Sequence, residues 1–216
     1  MPNDEVSTTA NAAPRRAPGR PRDARRDEAI LNATLEILLD GDYQNLTIEA
    51  VAARAGVGRP TIYRRWPSKA ALVVAALVDS ARLAIPDVDT GSLRGDLLAV
   101  QRHQIALMNA PMTRRVTAGL IADLATDPEL SDRYLAEYLV PRREAVWKVL
   151  ERGIERGELK PDADLALVYE LLIGPLFMRA VVWGQRLSRS EAEATTDVIL
   201  ASFATRRGRA PLPHTD

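Results

Sequence analysis

Arg59, Thr61, Tyr63, Arg64 and Arg65 fall within seven residues and together carry the chemistry to grip a polyanion. Arginine presents a rigid fork of N–H donors that matches a phosphate or the O6/N7 edge of guanine, and the hydroxyls of threonine and tyrosine bond phosphate oxygens. Lys69 adds a point charge a few residues on, and Thr47 a hydroxyl ahead of them. Other chemistries are poorly provided for. The chain has no cysteine and two histidines, His103 and His214, the second close to its end, so neither a thiolate nor a histidine-rich metal site can be assembled. Asp123, Glu144 and Glu170 could act as acids or bases, but no nucleophile–base pair accompanies them. Neither GxGxxG nor GxxxxGK is present, and no cofactor is expected.

The donors sit in a stretch, residues 47–69, that reads as helix, glycine turn and short second helix. Ile48, Val51, Ala52 and Ala55 recur at i, i+3, i+4 and i+7, one apolar stripe. Gly56-Val57-Gly58 interrupts it, and glycine accepts the positive φ of a tight interhelical turn. Ile62 and Trp66, four apart, would pin the second helix on the first and turn the five donors outward. A helix-turn-helix presents such a second helix to the DNA major groove. Thr47 and Ser68 are well placed as N-caps, and Pro60 suits a first turn, where its missing donor costs nothing. An earlier helix, Asp23 to Leu39, would close the unit with Ile30, Ala33, Leu35, Ile37 and Leu38.

Formal net charge is zero, which alone would argue against a nucleic-acid partner, but its distribution is uneven. Residues 14–69 hold eleven bases against seven acids, whereas from Ala70 onward there are eighteen bases against twenty acids. The excess lies where counterion release needs it. Residues 1–22 have almost no large apolar side chain and are expected to be a disordered arm. Its PGRPR segment, with Arg20 and Arg22, is either a solvated linker or an extended strap for the minor groove. The N-terminus has no apolar core of the kind a signal peptide needs, and with no cysteine a reducing cytoplasm is the expected compartment.

Residues 24–78 closely resemble the tetracycline-repressor (TetR) family of bacterial transcription regulators, through LTIEAVAARAGV and then TIYRRWPSKAAL. The resemblance implies phosphate contacts from Thr61, Tyr63 and Lys69, and base reading by Arg59, Arg64 and Arg65. The chain departs from the family pattern at Gly58, where a capping hydroxyl is usual, at Pro60 and Trp66, and at Arg64, where an aromatic or histidine is common.

After Ala84, IPDVDTGS is rich in turn formers and marks an expected domain boundary, giving 23–84 and 85–205 with a flexible tail over 206–216. No period-2 strand follows. The expected class is all-α, about nine helices: a three-helix N-terminal helix-turn-helix domain with a linking fourth helix, then a helical domain. Ser92 caps a fifth helix, Pro111 separates it from a sixth over Met112 to Ala125, and Asp127-Pro128 opens a seventh that reaches Arg156, kinked or split at Pro141. An eighth spans Leu165 to Trp183, and Ser190 with Glu193 makes a capping box for a ninth that ends near Phe203. The eighth is long enough for a membrane span, but Glu170, Arg179 and the Gly174-Pro175 pair argue for a bundle helix in a protein without a membrane partner.

From the resemblance, the second domain is expected to bind a small molecule among helices 5 to 8 and to dimerise through the last two helices. His103, Met108, Leu120, Trp147, Tyr169 and Phe177 are the ligand candidates, set against their alternative as ordinary core. Leu172, Leu176, Val182, Thr195, Val198, Ile199 and Phe203 are the candidates for the homodimer face, set against an intramolecular core. The function implied is a repressor of a near-palindromic double-stranded operator, released by a ligand, with helices 4 and 7 carrying the signal. An architectural DNA-binding protein without ligand response is the alternative.

Overall fold

A computed structural model describes residues 20–41, 43–80 and 87–208, with side chains from Ala24 onward. Helices α1 (Arg20–Asp40), α2 (Ile48–Ala55), α3 (Arg59–Tyr63) and α4 (Lys69–Asp79) form the N-terminal head. Then come α5 (Leu93–Asn109), α6 (Pro111–Thr126), α7 (Pro128–Tyr134), α8 (Val140–Glu155), α9 (Leu165–Phe177) and α10 (Arg189–Phe203). A π-helical turn, Leu135–Leu139, joins α7 to α8, and another, Met178–Val182, extends α9. Counting each joined pair once gives the nine helices expected, with no strand among the described residues.

The helix ends are set by local hydrogen bonds. Thr47, Ser68, Ser92 and Asp127 each accept a backbone N–H three residues on, at 3.0–3.1 Å. The last helix is capped two residues earlier than expected: Ser188 and Glu191, not Ser190 and Glu193, make the reciprocal box. α1 also starts at Arg20 rather than Asp23, so Arg20 and Arg22 lie on helical backbone and not in an extended strap. Pro21 falls in the first turn, which tolerates it. The rest of the expected arm, residues 1–19, lies outside the described residues, as do Arg209 to Asp216 of the tail.

Both interior prolines are absorbed rather than breaking their helices. A proline cannot donate to the carbonyl four back, and its ring crowds that carbonyl. Ahead of Pro141 the ladder widens, and Val140 N–H reaches Leu135 O, five residues back. Beyond Pro175 the same widening lets Trp183 N–H donate to Met178 O at 3.0 Å.

Two large cores result. Ile30 and Leu38 of α1, Val51 of α2, Ile62 of α3 and Leu72 and Val73 of α4 fill the head, together with Val116 and Leu120 of α6 and Leu130 of α7. Leu93 and Leu97 of α5, Val146, Val149 and Leu150 of α8, Leu172 of α9 and Ile199 of α10 fill the other. The head thus packs directly on α6 and α7, and α6 is a contact element that the expected signal path through helices 4 and 7 omits.

Candidate nucleic-acid interface and ligand cavity

The head has the geometry that the apolar spacing demands. Gly56 closes α2 at φ 65°, a left-handed conformation in which a side chain would be strained. Ile62 is fully buried and Trp66 nearly so, while Tyr63 is half exposed and Arg59, Arg64 and Arg65 lie on the surface. Gly58 stands at the N-cap of α3 without a side-chain hydrogen bond, and Pro60 occupies its first turn. α3 is five residues, shorter than one stable helix, so its orientation depends on Ile62 and Trp66 in the core.

The three arginines differ in what holds them. Arg65 is drawn back to α1 by Asp27, at 2.7 Å, so it braces the recognition helix rather than projecting from it. Arg59 pairs with Glu49 at 2.9 Å, both exposed, and this hydrogen bond holds the Glu49 carboxyl below its usual pKa. Arg64 has no carboxylate partner among the described residues. Thr61 is half-buried beside it, and Thr47 is exposed with its oxygen engaged as a cap.

Lys69 does not project as the phosphate donor expected of it. Its ammonium donates to the carbonyl of Tyr43 at 3.0 Å and lies 4.4 Å above the Tyr43 ring. The carbonyl and the ring face hold the charge together. Tyr43 is itself buried, and its hydroxyl donates to the Asp123 carboxylate on α6. Burial, and then that carboxylate, push the phenol pKa far above its ordinary value. On the adjacent turn of α6, Gly119 has no side chain because Tyr43 occupies the space: a Cβ there would lie 2.6 Å from Tyr43 Cδ1. Tyr43 thereby joins α6 to the head.

The opposite face of α6 lines a cavity of about 520 Å³ between α5, α6, the α7–α8 helix and α9. Met108, Leu120, Tyr169 and Phe177, four of the six expected ligand residues, are in its wall. His103 and Trp147 are not. The Arg143 guanidinium lies 4.5 Å over the Trp147 ring, so Trp147 backs the wall. His103 is half-buried, and desolvation, then the Arg142 charge, lower its pKa. The wall also contains Gln104, Thr113, Thr117, Tyr134, Tyr138, Arg142, Arg143 and Glu170, none of them anticipated. Tyr134, Tyr138 and Arg142 succeed one another at spacing four, a signal the sequence carries openly. Tyr134 and Tyr138 stack with centroids 4.9 Å apart, and Arg142 lies 4.0 Å over Tyr138.

The expected dimer face divides in two. Leu172, Leu176 and Ile199 are buried in this chain's own cores, so the intramolecular alternative holds for them. α9 is apolar most of the way round, and one stripe of each helix must cover its own subunit. Phe203 packs half-buried on the second core. Val182 and Val198, by contrast, are 59% and 58% exposed, and Thr195 is half-buried. A groove between α9 and α10 is lined by Leu171, Pro175, Leu176, Thr195 and Val198. Leu167, Met178 and Trp183 add further exposed apolar surface. The Leu165–Val182 stretch, with mean hydropathy 1.8, is long and apolar enough for a membrane span by composition alone. Its Arg179 nevertheless faces Glu191 of α10 at 4.0 Å, and its Glu170 lines the cavity.

A helix-turn-helix head packed on a helical domain that encloses an apolar cavity defines a DNA-binding transcriptional regulator. Comparison with known proteins agrees. Residues 30–76 match the family described as bacterial regulatory proteins, tetR family, and residues 87–199 match the tetracyclin repressor-like C-terminal domain. The uncharacterized HTH-type transcriptional regulator YdeS of Bacillus subtilis (strain 168) is 32% identical over 187 residues, which is 86% of this chain and 91% of that one. The DNA-binding transcriptional repressor TetR of Mycobacteroides abscessus is 32% identical over 181 residues, 81% of this chain and 92% of its own. Among solved structures, the TetR family transcription regulator SCO0332 superposes with a TM-score of 0.69 at 30% identity, covering 87% of this chain and 100% of the other. The chain belongs to the TetR family of bacterial transcriptional regulators.

Proposed function

We propose that this regulator is a homodimeric repressor, released from a near-palindromic operator when a small organic effector fills its cavity. The observation that carries the reading is the double role of α6. Leu120, Ile121 and Leu124 form cavity wall, while Gly119 and Asp123 of the same helix hold Tyr43, and Tyr43 holds Lys69. A ligand that shifts α6 therefore moves the base of the reading head. A coupling of roughly 1–3 kcal/mol would change operator affinity about 5–150-fold.

A five-residue α3 reads too few bases to select a site alone. Two copies, joined through the exposed stripes of α9 and α10 around Val182, Thr195 and Val198, would enter successive major grooves about 34 Å apart. Covering those stripes also accounts for the apolar surface without a membrane. In each head, Arg64 is the base reader of first choice, because no intramolecular carboxylate must be given up. Arg59 can exchange Glu49 for guanine, and Thr47, Thr61 and Tyr63 face the phosphates. Lys69 and Arg65 position the helix, and Lys69 reaches a phosphate only by leaving Tyr43. Arg20 and Arg22 lie at the start of α1, where the backbone can carry them to the same DNA. The protein acts in the cytoplasm, where its DNA is.

A gel shift on the DNA upstream of its own gene, combined with a ligand screen by thermal shift, tests this reading. Sequence-selective binding weakened by a stabilising compound is the expected result. Arg64→Ala should relax base preference by about 1–3 kcal/mol if it makes a forked guanine contact. Binding that is indifferent to both sequence and ligands would instead mark an architectural protein.

A further inference from the structure

The cavity wall contains polar groups that the protein itself leaves unanswered. Gln104 is 5% exposed and lines the cavity, yet its amide makes no hydrogen bond among the described residues. Arg143 also lines it, has no carboxylate within ion-pair distance among the described residues, and its buried Nε–H lacks an acceptor. A buried guanidinium N–H without a partner is costly, and the cost is recovered when a ligand supplies the acceptor. Burial raises the Tyr169 phenol pKa, and the charges of Arg142 and Arg143 both pull against that rise, so the two cations converge near one side of the cavity. Against them stands one lining carboxylate, Glu170, which is exposed. The remaining wall is apolar and aromatic, with the Tyr134–Tyr138 stack and Phe177 offering flat faces.

We propose that the cavity takes an aromatic carboxylic acid, its carboxylate accepting from Arg142 and Arg143 and its flat body lying against Tyr134, Tyr138 and Phe177. Gln104 then answers a second polar substituent of the ligand. A guanidinium matches a carboxylate in bidentate geometry, and a single negative charge loses less on leaving water than a phosphate dianion would in so apolar a wall. The volume of about 520 Å³ suits a ligand of two or three fused or linked rings. This deepens the receptor reading above and rests on it.

Titration calorimetry on the full-length chain tests both together, with biphenyl-4-carboxylate, biphenyl-4-carboxamide and 4-phenylbenzylamine as probes of one shape and three charges. The carboxylate should bind at least about tenfold more tightly than the carboxamide. Arg143→Gln should cost the carboxylate about 10–100-fold and leave the carboxamide unchanged. Thr117→Trp should block all binding by filling the cavity that Thr117 lines, with helix content by circular dichroism as the check that the fold is kept. If the carboxamide or the amine binds as tightly as the acid, or the acid keeps its advantage in the Arg142→Gln, Arg143→Gln double variant, the anion assignment is wrong. Binding of any probe that Thr117→Trp abolishes would still uphold the receptor. If no probe binds, both the assignment and the receptor reading fall.

Discussion

Gly119 offers a test of the link between cavity and reading head through one added methyl group. A Cβ at this position would stand 2.6 Å from Tyr43 Cδ1 and 2.8 Å from Tyr43 Cβ and Cγ, against an ordinary carbon–carbon separation of about 3.5–4.0 Å. Tyr43 or α6 must therefore retreat by about 1 Å. Overpacking of this kind costs about 1–3 kcal/mol. Replacing a helical glycine by alanine returns about 1 kcal/mol through helix propensity. Gly119→Ala should thus be neutral or destabilising by up to about 2 kcal/mol. Without that contact only the propensity gain would remain, a stabilisation of about 1 kcal/mol. The variant should fall short of that gain by about 1–3 kcal/mol, or roughly 3–9 °C in Tm for a chain of this size. The displaced Tyr43 carries with it the carbonyl and ring that hold Lys69, so Gly119→Ala should also weaken operator binding, about fivefold for each kcal/mol transmitted. Fluorescence anisotropy on a labelled operator, beside thermal denaturation, measures both. If Gly119→Ala shows the full propensity gain in stability and binds DNA like the parent, α6 does not press on Tyr43 and the coupling route is wrong.

Val198→Glu places a charge in the middle of the exposed stripe of α10 without disturbing the subunit core. Sedimentation velocity should then show a monomer with near-parental helix content; an unchanged dimer would put the interface elsewhere. A second test uses pH. Burial, and then the Arg142 charge, lower the pKa of His103 in the fold. The unfolded chain binds a proton near pH 6.5. As pH falls below that value the unfolded state holds more protons than the native one, so stability drops until the folded pKa is reached. The Tm advantage of the parent over His103→Gln should therefore shrink on acidification, and an advantage that stays constant with pH would refute the assignment.

Local signals were sufficient for the frame of the head. The stripe of Ile48, Val51 and Ala52, the turn at Gly56 and the caps at Thr47 and Ser68 each depend on residues within four positions, and each stands as the spacing requires. Side chains whose partners are remote were not legible. Arg65 and Lys69 are expected to reach DNA, but Asp27 and Tyr43, far back in the chain, engage their charges. The capping box was ambiguous for a different reason: Ser188 and Ser190 each have a glutamate three residues on, so pattern alone cannot choose between them. Where helices are apolar all round, as in α9, spacing identifies possible stripes without saying which one packs on its own subunit. That is why spacing groups Leu172 with Val182 although one is buried and the other exposed.

The cavity poses a harder problem, because its wall depends on an irregularity. In a regular helix of 3.6 residues per turn, residues five apart point about 140° away from each other. Leu135 and Val140 are five apart, yet both line the cavity. The π-helical turn between them closes its hydrogen bond over five residues instead of four, bringing them to one side. Tyr134 and Tyr138 stack along that same widened face, and Arg142 follows on the next turn. Pro141, whose ring and missing donor favour such a widening, is visible in the sequence, where it signals only a kink or a split. Tyr134, Tyr138 and Arg142, spaced by four, share one face of even a regular helix, but a regular projection sends Leu135 and Val140 to different faces. The widened turn ahead of the proline is therefore what adds both aliphatic side chains to the wall beside the tyrosines, and a search by regular period alone passes over one of them.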